Sequence, residues 1–148
     1  MLTVRAYRDH DWDEWLRMSV ALFPEYTPED LAKGMEEFRA RRDADVFVID
    51  RGDGTLAGFV EAGSRPYADG CDTSPVGYVE AWYVDDDVRR QGYGRRLLEA
   101  AEDWARRQGY REMASDALLD NHSSHAAHRA SGYDEVERIV QFRKVLTR

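Results

Sequence analysis

Two carboxylates and one glycine-containing turn carry most of the chemistry in this sequence. Glu80 lies inside an apolar run, VGYVEAWYV at 76–84. A charge in such a run is costly unless it has a partner or a task. One such task is to take the proton that an ammonium group must lose before its nitrogen attacks an electrophile. Asp116 ends the next expected strand, 110–115, and α/β folds collect ligands beyond the carboxyl ends of their strands. Between the acids, residues 84–95 read VDDDVRRQGYGR and present Arg89, Arg90, Gln91, Gly92, Tyr93, Gly94 and Arg95. A strand enters this turn and a helix leaves it. The first turn of a helix offers unpaired N–H groups and the positive end of the macrodipole, and glycines let a phosphate approach. Plainer readings stay open. Glu80 can face water, Asp116 can be a loop acid, and the basic turn can be an ordinary connection.

Other reactive residues suggest less. His122, His125 and His128 are three apart, and positions i, i+3 and i+6 drift around a helix, so no metal site is expected. Cys71 lies in a polar loop with no histidine partner evident and reads as neither nucleophile nor disulfide partner.

The elements that position these residues follow from periodicity. Residues 2–7 alternate as a strand. Asp9 or Asp11 starts a helix to about Phe23, closed by Pro24. Thr27, Pro28, Glu29 and Asp30 start a second helix, with Leu31, Met35 and Phe38 as its buried stripe and a frayed end over 39–45. Residues 46–50 and 56–62 form a hairpin around the Arg51–Gly54 turn. A polar loop at 65–75 precedes the strand at 77–84, whose alternation sets Glu80 on one face with Tyr78 and Trp82. A helix over 92–108 buries Leu97, Leu98, Ala101, Trp104 and Ala105 and ends at Gly109. A strand at 110–115 and a helix from Asp120 or Asn121 to Gly132 follow. Residues 133–140 and 141–146 read as a terminal hairpin. The order is β, α, α, β, β, β, α, β, α, β, β.

The bulk numbers set limits. A chain of 148 residues fits one domain, 1–148, and can bury a substantial core. The formal net charge of −8 argues against nucleic acid and suits a cationic ligand. No apolar stretch approaches a membrane span, and no signal peptide is visible, so a cytoplasmic protein is expected.

The element order with its central turn resembles the GNAT acetyltransferase superfamily. The R/Q-x-x-G-x-G/A signature is matched by Arg89, Gly92 and Gly94. A second signature is matched in part by Asn121 and by His128-Arg129-Ala130-Ser131-Gly132-Tyr133. Within the superfamily, SPVGYVEAWYV (74–84), ASDALLDN (114–121) and SHAAHRASGY (124–133) look like the short, chromosomal aminoglycoside 6′-N-acetyltransferases.

The resemblance implies a GNAT fold, with a mixed sheet of about six to seven strands flanked by about four helices. It implies acetyl-CoA as cosubstrate and no metal. Arg90, Gln91, Gly92, Tyr93, Gly94 and Arg95, with Arg89, would hold the pyrophosphate. Trp82, Tyr83 and Val84 would pair with the pantetheine arm, and Asn121 would touch the cofactor. Glu80 and Asp116 would bind the acceptor amine, and one of them, left undecided, would be the base. His128 stands where many relatives carry a tyrosine that protonates the leaving thiolate. Glu25, Tyr67, Asp72 and Glu135 are further candidates for a polycationic sugar, with Tyr26, Asp69 and Glu137 behind them. Transfer would be direct, through a tetrahedral intermediate, and the protein would be a homodimer. Another amine acceptor, or a non-catalytic CoA-binding sensor, remains as the alternative.

Overall fold

The computed structural model describes residues 1–147. Five strands form one mixed sheet in the order β1-β2-β3-β4-β5. They are β1 (Thr3–Ala6), β2 (Ala44–Asp50), β3 (Leu56–Arg65), β4 (Val76–Val84) and β5 (Met113–Ser115). The first four pair antiparallel, while β4 and β5 run parallel. That parallel step needs a crossover, which contains the helix α3 (Tyr93–Arg107). The other helices are α1 (Trp12–Leu22), α2 (Pro28–Ala40) and α4 (His122–Ala130).

The two faces of the sheet bury different sets. Phe47, Ile49, Val60, Ala62 and Val79 pack with Leu97, Leu98, Ala101, Trp104 and Ala105 of α3. The five α3 residues are the stripe that periodicity marks out, and all are buried. On the opposite face Val46, Val48, Phe59 and Ala81 pack with Trp15 and Met18 of α1 and Met35 of α2. Thr27 caps α2 as expected, its hydroxyl accepting from Asp30 N at 3.1 Å, with Pro28 in the first turn.

The far end of β4 is fixed by charge. Asp85 N–H donates to Ala57 O at 2.7 Å. The nearly buried Asp85 carboxylate receives Arg17 and Arg51, each at 3.0 Å. This clamp holds the point where the chain leaves the sheet for the glycine turn.

Two expectations change. β3 runs to Arg65, past its expected end at 62. The terminal hairpin does not form: residues 134–147 are in no strand, so the sheet has five strands. A two-stranded hairpin is marginal in water without a surface to bury its apolar face. Val136, Ile139, Val140, Phe142, Val145 and Leu146 are between 50% and 92% exposed.

Candidate active site

β4 is paired along its whole inner edge, from Val76↔Arg65 to Val84↔Gly58. Its other edge is paired only at Gly77, Tyr78 and Val79, against Met113, Ala114 and Ser115. Beyond Ser115 the chain turns away, so the edge from Glu80 to Val84 has no strand partner. Backbone N–H and C=O groups on such an edge are free for a ligand.

Glu80 marks the start of that edge through a bulge. Ala62 faces Val79 and Glu61 faces Ala81, leaving Glu80 as the extra residue. A bulge breaks alternation by one position. Glu80 therefore shares its face with Tyr78, but not with Trp82. Trp82 packs in the α3 cluster, where its Nε1 donates to Gly94 O at 3.0 Å. The expected common face for Tyr78, Glu80 and Trp82 is thus corrected. The bulge keeps Glu80 with the acidic face and turns Trp82 toward the glycine turn.

Glu80 and Asp116 are brought together by two residues that sequence reasoning missed. Arg65 donates to both Glu80 oxygens, at 2.6 and 3.0 Å. Its guanidinium lies 3.5 Å from the centre of the Tyr78 ring. The Tyr78 hydroxyl donates to Asp116 Oδ2. Burial, then the bond to Asp116, pushes the Tyr78 hydroxyl well above its ordinary pKa. The result is a continuous Glu80–Arg65–Tyr78–Asp116 set. Asp116 is exposed at its outer end, and Glu80 is half-buried at its inner end. The one sequence signal was Tyr78, two positions from Glu80; the cross-strand place of Arg65 depends on register.

The glycine turn leads away from the same edge. Arg90 and Gly92 lie in the left-handed region, at φ 64° and 86°. No side chain caps α3. Its first bond is Arg96 N–H to Gly92 O at 3.2 Å, so the amides of Tyr93, Gly94 and Arg95 precede the helical ladder. A Cβ on Gly94 would sit 3.3 Å from the Trp82 ring, so a glycine lets α3 start close against β4. Arg89 is spent locally, donating to Val84 O at 2.7 Å and pairing with Asp86. Gln91 donates to Asp87 O at 3.2 Å. Arg90 and Arg95 are exposed. An uncapped helix start with exposed arginines fits a diphosphate.

α4 closes the other side. Asn121 is its N-cap, with Oδ1 accepting from Ser124 N at 3.1 Å. His128 Nδ1 lies 2.7 Å from Ser124 O and Nε2 lies 2.7 Å from Ser115 Oγ. A carbonyl only accepts, so Nδ1 carries the proton and Nε2 takes the serine's. His128 thus becomes a donor toward Ser115 only as imidazolium. Its ring meets Trp82 edge-on at 5.1 Å. His122 and His125 meet edge-on, with ring centroids 5.5 Å apart. Among the described residues, no group of three or more His, Cys, Asp or Glu is arranged to hold a metal.

The remaining candidates are more dispersed. Glu25, Tyr67, Asp69, Asp72 and Glu137 are exposed. The backbone of Asp72 donates to Glu112 at 2.9 Å. Glu135 pairs with Arg129 and Arg138, and these arginines hold its carboxyl down at about 2, so it offers little unshared charge.

A profile of the Acetyltransferase (GNAT) family matches residues 6–133. The chain belongs to this family. Among relatives of the GNAT chain, an aminoglycoside N(6′)-acetyltransferase type 1 of Klebsiella aerogenes is 40% identical over 146 residues, covering 97% of this chain and 96% of that one. A protein of the same name from Serratia marcescens is 39% identical over 140 residues, covering 93% and 96%. The crystal structure of aminoglycoside antibiotic 6′-N-acetyltransferase AAC(6′)-Ih from Acinetobacter baumannii superposes with a TM-score of 0.91 at 29% identity, covering 99% of this chain and 100% of that one. AAC(6′)-Iy, in complex with the bisubstrate analog CoA-S-monomethyl-acetylneamine, gives 0.91 at 30% identity, covering 98% and 99%.

Proposed function

We infer that this protein transfers the acetyl group of acetyl-CoA to the 6′-amine of aminoglycoside antibiotics. The full-length likeness to named 6′-N-acetyltransferases supports the acceptor. The observation that carries the chemistry is the Glu80–Arg65–Tyr78–Asp116 set beside the unpaired edge of β4.

The cosubstrate supplies a thioester, whose carbonyl carbon is the electrophile. The amides of residues 90–95 and the exposed Arg90 and Arg95 hold its pyrophosphate. The free edge at Trp82, Tyr83 and Val84 pairs with the pantetheine arm and offers N–H groups to the thioester oxygen. Trp82 fixes the start of α3, and Asn121 contacts the cofactor from α4. Glu80 and Asp116 attract the acceptor ammonium, and one of them takes its proton before attack. Tyr78 and Arg65 position those carboxylates. His128, as imidazolium, returns a proton through Ser115 toward the departing sulfur. Glu25, Tyr67 and Asp72 form the outer acceptor surface, with Glu135, already paired to Arg129 and Arg138, contributing little charge to it.

Residues 1–148 act as one catalytic domain, in the cytoplasm. No helix among the described residues is long and apolar enough to cross a membrane. The protein works as a homodimer. The exposed apolar side chains of residues 136–146 support this, as does a cleft of about 260 Å³ at the outer edge of β5, lined by Tyr110, Glu112, Met113 and Tyr133.

The test is free-thiol release from acetyl-CoA with kanamycin-like compounds that carry or lack a 6′-amine. Release is expected only with the amine-bearing compounds. Release with polyamines or peptides alone would overturn the acceptor assignment. Acetyl-CoA binding with no release for any amine would favour a sensor.

A further inference from the structure

β5 ends at the corner where β4 loses its partner. Ser115, the last residue of β5, pairs with Val79, and the free edge begins at Glu80. Successive side chains of a strand alternate between faces, and paired residues share one. Ser115 therefore goes with Val79 of the α3 cluster, while Ala114 goes with Tyr78. Asp116 returns to the Tyr78 face, where its carboxylate accepts from the Tyr78 hydroxyl. Two consecutive residues thus serve opposite faces of one corner. Asp116 belongs to the acceptor face and Ser115 to the face covered by α3 and α4.

On its own face Ser115 has the surroundings of an activated nucleophile. Its Oγ lies 2.7 Å from His128 Nε2. His128 Nδ1 lies 2.7 Å from the carbonyl oxygen of Ser124, one turn back in α4, with Ser124 Oγ farther at 3.2 Å. The carbonyl fixes the tautomer, so the serine hydroxyl donates to Nε2 of the neutral ring. A hydroxyl, a base in hydrogen-bond reach and a third group that orients the base are the parts that activate a serine. Trp82 meets the imidazole edge-on at 5.1 Å and is itself held by Gly94 O, which steadies the ring from β4. Ser115 and His128 are both only partly buried, so a ligand can reach them.

The course of the cosubstrate proposed above brings its thioester to this corner, and the inference rests on that course. With the pyrophosphate at residues 90–95, beyond the carboxyl end of β4, the pantetheine arm runs back along the free edge from Val84 toward Glu80. Its acyl end then reaches Ser115. A thioester is planar and has two faces. The amine approaches one from the side of Glu80 and Asp116, and Ser115 meets the other. We propose that, with no amine bound, the protein hydrolyses acetyl-CoA through an acetyl ester on Ser115, with His128 as base and water as the second substrate. Ser115 Oγ bonds to the carbonyl carbon as its proton passes to His128 Nε2. The C–S bond breaks, and the thiolate takes that proton from His128 and leaves as CoA. Water then adds to the ester carbon and gives a proton to Nε2. The bond from that carbon to Oγ breaks, Oγ recovers the proton, and acetic acid leaves. Free N–H groups of the β4 edge hold the carbonyl oxygen in both steps. Transfer to an amine needs no serine ester, so this path runs when the acceptor side is empty.

The test is incubation of the protein with acetyl-CoA and no amine. Free thiol is followed, and samples quenched in acid, which preserves a serine ester, are digested for mass spectrometry. Wild type should release thiol faster than acetyl-CoA alone and should carry one acetyl group on the Ser115 peptide. Ser115→Ala should lose the ester and lower the amine-independent release at least about tenfold. A readout without acetyl-CoA is labelling of the free protein by diisopropyl fluorophosphate, which should fall on Ser115 and be blocked by CoA. The ester and the label are read on wild type, so they decide the matter even where the variant binds CoA poorly. Thiol release no faster than the blank, an acetyl group found only on another residue, or equal release by wild type and Ser115→Ala would overturn the proposal. Kanamycin assayed alongside separates the two readings. Acetyl-Ser115 without kanamycin acetylation removes the aminoglycoside assignment alone, and kanamycin acetylation without acetyl-Ser115 removes the serine path alone.

Discussion

Arg65 holds Glu80 by both carboxylate oxygens, at 2.6 and 3.0 Å, while its guanidinium lies over the Tyr78 ring. Under the proposed function an incoming ammonium group would compete with Arg65 for Glu80. Glu80→Gln and Asp116→Asn should each lower kcat/KM for a 6′-amino acceptor at least about tenfold, or ~1.4 kcal/mol of transition-state stabilisation. Steady-state thiol release checks this. Unchanged rates in both variants would remove the acid–base account.

The glycine turn makes a separable prediction. Gly92 lies at φ 86° with open space around its Cα, so an alanine there is strained without a clash. Gly92→Ala should cost about 1 kcal/mol and lower Tm by roughly 2–4 °C. It should also weaken CoA binding about fivefold, because the amides that follow are redirected. Calorimetry with CoA and thermal melts separate the two effects. Full retention of CoA affinity would place the pyrophosphate elsewhere.

The parts of this fold that the sequence discloses are those set by local pattern. The stripe Leu97, Leu98, Ala101, Trp104 and Ala105 locates α3, Thr27 and Pro28 mark the start of α2, and the Arg89–Gly94 spacing marks the turn. What stayed hidden depends on partners far along the chain. Arg65 reaches Glu80 because β3 outlasts its apolar run and keeps pairing with β4 beyond the register shift at Glu61/Ala62. The bulge at Glu80 is invisible to alternation, and it reversed the expected face of Trp82. Glu61 stands in the 56–62 hairpin strand with no local sign that α1 packs over it, where Trp15 Nε1 donates to its carboxylate. The 133–146 stretch reads as two short strands, yet nothing local says what would bury their apolar side chains.

Burial of Glu61 has a consequence for stability. Its folded pKa of about 7 lies above its ordinary 4.5. Between these values the folded state binds the proton more tightly than the unfolded chain. Stability from this group is therefore full below about pH 4.5 and declines as pH rises toward 7, by an amount on the order of 3 kcal/mol. Glu61→Gln removes the titration and keeps the Trp15 bond. The variant should be more stable than wild type at pH 8 and close to it at pH 4.5. Urea unfolding at the two pH values tests this. A variant less stable at pH 8 would mean that the carboxylate is ionised and well solvated in the fold.

Asp85 has the opposite sign. Burial raises its carboxyl, and the bonds from Arg17 and Arg51 outweigh that, so its pKa falls below 3.8. Its contribution is present above that value and lost as pH drops through the lower folded pKa. Asp85→Asn leaves two guanidinium groups without their anion and should cost several kcal/mol at neutral pH. It should also flatten the acid limb of the stability profile below about pH 4. Because Asp85 fixes the end of β4, the variant should lose CoA affinity along with stability.

The apolar tail bears on assembly. Phe142 is 92% exposed and Ile139 is 50% exposed, so replacing both with lysine has little to disturb within one chain. In a homodimer that buries this segment, two lysines per chain would be desolvated at the interface. Wild type should sediment as a dimer, and the Ile139→Lys, Phe142→Lys variant as a monomer with an unchanged circular dichroism spectrum. A monomeric wild type at micromolar concentration would end the dimer reading. A variant that stays dimeric would move the interface away from residues 136–146. Activity distinguishes a further point: if the monomer still acetylates at the wild-type rate, each chain holds a complete site, and the tail serves assembly alone.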